Sequence, residues 1–238
     1  MEVCFVVKTI FRRWSLAGLL VLALGVSAGC VTDEVASNAD IVLAEIGSAS
    51  TPAGSIEFES KTLVYSADIA DLVDTVRSRS LEIDKKDLVM NYLVLQKRID
   101  CILDDVEEAA KDDATIQCEG KILVAKEGEH GLLGFDEITE EINSRDGEPA
   151  KRDYLAEYLI TWNKIKRIDR VEESLAQIRR SNALPVFGAL IKSIHRFPIL
   201  YEGNELVPRD DIPNLLDEYS ARDTEEAKRI LVIDYLER

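Results

Sequence analysis

The sequence is poor in the residues that build most metal sites and many catalytic centres. Its 238 residues include only two histidines, four cysteines and two tryptophans, and aromatic residues make up 6% of the chain. The histidines, His130 and His195, lie far apart in sequence, whereas a zinc site needs three or four suitably spaced His, Cys or carboxylate ligands. We therefore predict no metal site and no cofactor.

Motifs for phosphate binding and nucleophilic catalysis are also missing. The glycines between Gly128 and Gly134 are not followed by the Lys-Ser/Thr pair of a phosphate-binding loop, and no G-x-S-x-G nucleophile elbow occurs. Carboxylates are dense at 104–108, 112–113 and 210–211. They lack the alternating ligands, central glycine and closing glutamate of an EF-hand, so we interpret them as solvated helix faces. The sequence favours a non-enzymatic protein and leaves enzymatic activity open.

Acidic residues outnumber basic residues outside the amino terminus. The chain carries a net charge of −16, and residues 1–29 contribute +2, so the remainder stands near −18. Nucleic-acid binding depends on clustered Lys and Arg that displace counterions from phosphates. Nucleic acid is therefore excluded as an expected partner.

No apolar run is long enough to span a bilayer as a helix. The longest, Leu16 to Ala28, has 13 residues, and a spanning helix needs about 20. It follows Lys8, Arg12 and Arg13 and ends in small residues. A positive region, a short apolar region and small residues at its end form the pattern of a secretory signal peptide.

The end of this segment resembles the lipobox of bacterial lipoproteins. The residues that carry the resemblance are Ser27-Ala28-Gly29-Cys30, in which small residues precede an obligatory cysteine. The resemblance implies that residues 1–29 are removed, that Cys30 is lipid-modified, and that the protein is held to a membrane in the cell envelope. Because Val31 rather than Asp follows the cysteine, it further implies the outer membrane, facing the periplasm, if the source is Gram-negative. An ordinary cleaved signal and an uncleaved amino-terminal anchor remain alternatives.

The two remaining cysteines are predicted to pair. With Cys4 removed and Cys30 acylated, Cys101 and Cys118 would both lie in an oxidising compartment, where two thiols tend to form a disulfide. Two buried free cysteines are the alternative.

The mature chain divides into a tether and a helical body. Residues 30–61 are rich in Ala, Ser, Thr and Gly and are predicted to be a flexible lipidated tether, with a short ordered element at 41–46. Residues 62–238 are predicted to be a single helical domain. Its two long amphipathic helices start at Asp84 and near Ala150, and a small β-hairpin or loop insertion lies at 119–135.

Further elements are predicted from shorter patterns. Ser66 is a candidate N-cap for the first helix of the body, an apolar helix is predicted over 184–197, and two short helices are capped by Asp211 and by Asp223 or Thr224. No internal repeat occurs at a fixed period. The fold expectation is a mainly α helical bundle. The functional expectation is an envelope-anchored protein for protein–protein interaction or scaffolding, with an envelope enzyme or a small-ligand-binding lipoprotein as the alternative.

Overall fold

A computed structural model describes residues 33–48, 54–107, 115–182 and 197–238. The predicted signal peptide, Cys30 and nearly all of the predicted helix at 184–197 lie outside these residues. The helices are α1 (Asp33–Gly47), α2 (Ile69–Ser78), α3 (Glu82–Glu107), α4 (Phe135–Asn143), α5 (Glu148–Asn182), α6 (Ile212–Ser220) and α7 (Glu225–Leu236). The strands are β1 (Ile56–Phe58), β2 (Lys61–Val64), β3 (Ile116–Cys118), β4 (Lys121–Val124), β5 (Ile199–Tyr201) and β6 (Asn204–Val207).

The predicted fold class is confirmed, because helices dominate and the strands form only two-stranded antiparallel hairpins. The two long helices predicted from apolar periodicity are α3 and α5. Asp223 and Thr224 were the two N-cap candidates for α7, and the cap is Thr224. Its hydroxyl accepts a hydrogen bond from the Ala227 amide at 3.1 Å. Ser66 does not cap α2, because the residue at the N-cap position is Asp68. Among the described helices, none is both long and apolar enough to cross a bilayer.

The three hairpins share one geometry. In each, the last residue of the first strand pairs with the first residue of the second, which leaves a two-residue turn. Both turn residues have positive φ: 49° and 65° at Glu59-Ser60, 51° and 77° at Glu119-Gly120, and 49° and 78° at Glu202-Gly203. Positive φ at both positions is the type I′ turn, whose twist matches that of the paired strands. The pairing register also shifts after the first residue of each hairpin.

These hairpins belong to an internal repeat that the sequence analysis missed. Each is followed by a short helix and then a second helix, which gives repeat A (56–107), repeat B (116–182) and repeat C (199–236). Residues 56–93 and 199–236 align without a gap and are identical at fifteen positions, which indicates duplication of one ancestral segment. The identical pairs include these: Leu63 and Leu206, Val64 and Val207, Asp68 and Asp211, Leu72 and Leu215, Leu88 and Leu231, Tyr92 and Tyr235.

Repeat B follows the same order with an insertion. Four residues separate Val64 from Ile69 in repeat A, whereas ten separate Val124 from Phe135. After this insertion, repeats A and B align again without a gap, so that Glu148 corresponds to Glu82 and Tyr158 to Tyr92. The hairpins therefore start at unequal intervals, which is why a search for one fixed period does not detect the repeat.

The described chain separates into two compact units, residues 33–160 and residues 161–238. In the first unit, α1 packs along α3 and buries Val35, Ala39, Val42 and Ile46. These four residues follow the helical spacing of four, three and four. Residues 33–47 are therefore helical, whereas a flexible tether was predicted for this segment. Burial of the apolar stripe stabilises the helix although the composition resembles that of a linker.

The second unit has its own apolar core. One face of α5, from Ile168 to Ile178, packs with the buried residues of hairpin β5–β6 and of helices α6 and α7. Within the hairpin, Ile199, Leu206 and Val207 are buried. Their counterparts Ile56, Leu63 and Val64 are buried in the first unit, so each hairpin presents the same apolar face to its own core.

Candidate functional site

A group of interacting polar side chains surrounds a small cavity in the first unit. Its volume is about 130 Å³. The lining comes from the segment between β2 and α2, from α3 and from the start of α5. The lining residues are Tyr65, Ser66, Ala67, Asp68, Gln96, Ile99, Glu148, Pro149, Arg152, Asp153 and Ala156.

Arg152 occupies the centre of this site. Its Nε donates to Glu148 Oε1 at 2.9 Å, its Nη1 donates to Gln96 Oε1 at 2.9 Å, and its Nη2 forms an ion pair with Asp100. The guanidinium carbon lies 3.8 Å from the centroid of the Tyr65 ring, a cation–π contact. The Arg152 side chain is only 12% exposed. Its donors are thus committed within the protein, which makes Arg152 a structural clamp between α3 and α5.

Asp68 lies beside this clamp and accepts hydrogen bonds from two residues of α3. Tyr92 donates its hydroxyl to Asp68 Oδ2 at 2.7 Å, and Gln96 donates to the same oxygen at 3.4 Å. Burial raises the pKa of the Asp68 carboxyl, the Tyr92 hydrogen bond opposes the rise, and the charge of Asp153 adds to it. Burial also raises the pKa of the Tyr92 hydroxyl, and the charge of Asp68 raises it further. This tyrosine therefore stays a hydrogen-bond donor.

The ionisable side chains of the described lining are three carboxylates, Tyr65 and Arg152. The described lining contains no histidine, cysteine or lysine, the side chains that most often activate a serine nucleophile. Within the described residues, no group of three or more His, Cys, Asp or Glu side chains could hold a metal ion. The arrangement can position helices and hold a few water molecules.

The residues singled out from sequence fall in separate places. Cys101 on α3 and Cys118 at the end of β3 are joined as a disulfide, with Cα atoms 5.9 Å apart. His130 is exposed in the repeat B loop, and Cys30 and His195 lie outside the described residues. The aromatic residues of α5 do not form an open patch, since Tyr158 and Trp162 are buried and the Arg145 guanidinium covers the Tyr154 ring at 4.0 Å.

Sequence reasoning missed the Arg152 clamp and the Asp68–Tyr92 pair. A signal for the pair exists, because an aspartate followed by isoleucine precedes a tyrosine by 24 residues in both repeat A and repeat C. No comparable local signal marks Arg152, whose partners Gln96 and Asp100 lie more than 50 residues away in sequence.

Comparisons with known proteins add no further assignment. No family model matches the chain, and no curated protein or solved structure is detectably similar to it.

Proposed function

We propose that this chain is a lipid-anchored protein of the bacterial cell envelope and that its repeats are an interaction or scaffolding module for another envelope protein. The anchor rests on the lipobox-like residues ending at Cys30. The Cys101–Cys118 disulfide supports an oxidising compartment, since disulfides are rare in the cytosol of most organisms.

The observation that carries the interaction role is the threefold repeat of one hairpin–helix–helix module. Arrays of small repeats commonly present extended surfaces for partner binding. Each hairpin also exposes one large apolar side chain: Phe58 at 40%, Ile122 at 48% and Leu200 at 43%. Apolar side chains of this size supply anchor contacts at protein interfaces when a partner covers them.

Site-specific photocrosslinking in cells tests the interaction role. A photoreactive amino acid at Phe58, Ile122 or Leu200 is expected to crosslink to one recurring envelope protein, and Asp87, an exposed polar residue on α3, is the matched control position. Crosslinks that are absent at all three hairpins, or equally strong at Asp87, would contradict the proposal.

The Cys30→Ser variant tests the dependence of this contact on the anchor. Without the acylated cysteine the protein is expected to leave the membrane fraction, because two or more acyl chains are needed for firm binding. The hairpin crosslinks should weaken in parallel. A Cys30→Ser protein that stays in the membrane fraction after a high-salt wash would contradict the lipid anchor.

The alternative function is a small-ligand-binding lipoprotein. The Arg152 cavity does not favour it, because about 130 Å³ is well below the ~300–1,000 Å³ usual for ligand sites. A second cavity in the other unit is larger and has a different charge.

A further inference from the structure

The second cavity lies in the unit formed by residues 161–238 and has a volume of about 370 Å³. It is bordered by the carboxyl-terminal part of α5, the end of α6 and the start of α7. The lining residues are Ala176, Arg179, Arg180, Tyr219, Glu225 and Lys228. This volume falls within the usual range for small-ligand sites, ~300–1,000 Å³.

The lining has an excess of positive charge although the whole chain is at −16. Three of its side chains are cationic and one is a carboxylate. Lys228 is 8% exposed and its ammonium lies 2.5 Å from Glu225 Oε1, so the one carboxylate is already neutralised. Arg179 and Arg180 supply the remaining charge at the cavity.

These two arginines differ from Arg229 on the neighbouring helix α7. Arg229 is held by Asp169 at 2.9 Å and Glu172 at 2.8 Å. Arg179 and Arg180 are exposed, and neither forms an ion pair with a carboxylate in the described ranges. Their guanidinium donors are therefore available to a ligand.

Comparison with repeat A shows that the fold itself does not require this cavity. The Glu225–Lys228 pair has a counterpart in Glu82–Lys85, at 2.6 Å, but Tyr219 corresponds to Val76. The register that pairs Tyr92 with Tyr158 also pairs Glu107, the last residue of α3, with Glu173. Arg179 and Arg180 thus lie on a part of α5 that has no counterpart among the described residues of α3.

We propose that this cavity binds a phosphate group, either as a free or small-molecule phosphate or as part of a lipid head group. Paired guanidinium groups match the geometry of phosphate oxygens through parallel N–H donors. The cavity also borders the amino terminus of α7, whose partial positive charge favours an anion. Tyr219 adds a hydroxyl that remains protonated, because burial raises its pKa, as do the charges of Glu172 and Glu225.

Calorimetric titration of the whole chain in a non-ionic detergent tests the proposal, with inorganic phosphate in one arm and micelles containing an anionic phospholipid in the other. The double variant Arg179→Gln/Arg180→Gln is expected to lose at least about tenfold in affinity, since two charge-assisted contacts are removed. Glu225→Gln is expected to bind more tightly, because it removes the only carboxylate among the described lining residues. Phosphate binding that depends on the arginines identifies a free phosphate ligand, and arginine-dependent binding of the micelles alone identifies a lipid head group.

The matched control is Arg209→Gln/Arg238→Gln, which removes the same charge at residues outside the cavity lining. Its affinity should equal that of the unmodified chain. A circular dichroism melt verifies that each variant folds, and Ala176→Glu, which adds a carboxylate to the lining, should also abolish binding. The proposal is overturned if neither probe binds, or if the control weakens binding as much as the double variant does.

Discussion

The hydrogen bond between Asp68 and Tyr92 ties the start of one helix to the middle of the next. An aspartate at an N-cap position usually accepts from amides of its own helix, but Asp68 makes no such bond and accepts from Tyr92 instead. Repeat C contains the same pair, with the Tyr235 hydroxyl 2.6 Å from Asp211. In repeat B, Gly134 takes the place of the aspartate, and Tyr158 donates to the carbonyl oxygens of Leu123 and Leu133 at 3.1 and 3.5 Å.

This pairing predicts different outcomes for two substitutions of Asp68. Asp68→Ala should lower the free energy of unfolding by about 1–3 kcal/mol, because the fully buried Tyr92 hydroxyl loses its partner. Asp68→Asn should lose much less, since the amide oxygen can accept the same bond. Urea denaturation of both variants at neutral pH measures the difference. Equal losses for the two variants would contradict this account of the pair.

The raised pKa of Asp68 also predicts a pH dependence. A carboxyl whose pKa is higher in the folded state binds protons more tightly there, so its contribution to stability is fully present below the unfolded value of about 4. That contribution is lost as pH rises through the folded value. Stability of the unmodified chain relative to Asp68→Asn should therefore increase on acidification across this window. A constant or falling difference would contradict the assigned direction.

In each hairpin, the residue at the second turn position affects the free energy of unfolding. Ser60 adopts a φ of 65°, whereas the equivalent residues Gly120 and Gly203 adopt similar angles without a side chain. A left-handed conformation costs a residue with a Cβ about 1–2 kcal/mol, part of which is offset because glycine loses more entropy on folding.

Reciprocal substitutions test this turn. Ser60→Gly should raise the free energy of unfolding by about 0.5–1 kcal/mol, and Gly120→Ser should lower it by a similar amount. A Cβ at Gly120 would meet nothing within 4 Å, so the expected loss comes from the backbone alone. Thermal melts of the two variants measure the shifts, and changes of the same sign in both would rule out this explanation.

The backbone of the insertion in repeat B approaches itself closely at two glycines. A Cβ added at Gly128 would lie 2.3 Å from the Leu132 carbonyl oxygen, and one at Gly134 would lie 2.9 Å from the Gly128 nitrogen. The loop is further joined by the Leu132 amide donating to Glu129 at 2.8 Å. The insertion is therefore a compact element in which glycine is required for close approach.

Gly128→Ala should destabilise the protein by about 1–3 kcal/mol, because the added methyl group forces the loop open. Gly47→Ala is the matched control, since a Cβ at Gly47 meets nothing within 4 Å and should change the stability little. Hydrogen exchange should rise at the Leu132 amide in the first variant only. Unchanged protection at this amide would show that the loop does not depend on the glycine contact.

Much of the fold, but less of the polar site, could be predicted from sequence. Helices α3 and α5 were predictable because their apolar stripes extend over several turns. Hairpins β1–β2 and β5–β6 were missed because strands of three or four residues give too short an alternation. Helix α1 was predicted only in part, as a short ordered element at 41–46, because its stripe includes Ala39 within an alanine- and serine-rich segment. The Arg152 clamp depends on tertiary contacts that no local pattern encodes.

Across the whole molecule, the disulfide links one repeat to the next. Cys101 belongs to repeat A and Cys118 to repeat B, and their sequence separation is 17. Replacing both by serine should lower stability by roughly 3 kcal/mol, from the loop-closure entropy of a loop this size. A urea melt of the double serine variant, compared with the unmodified chain before and after reduction, measures this. Loss of stability in the variant but not on reduction would show that packing, rather than the crosslink, is responsible.

The proposed function depends on the lipid anchor at Cys30, which would hold the folded repeats at a membrane surface. Intact-mass and amino-terminal peptide mass spectrometry of the chain purified from cells tests this most directly. The account predicts a product that begins at Cys30 and carries added acyl mass on that residue. A product that retains residues 1–29, or begins at an unmodified Cys30, would contradict it.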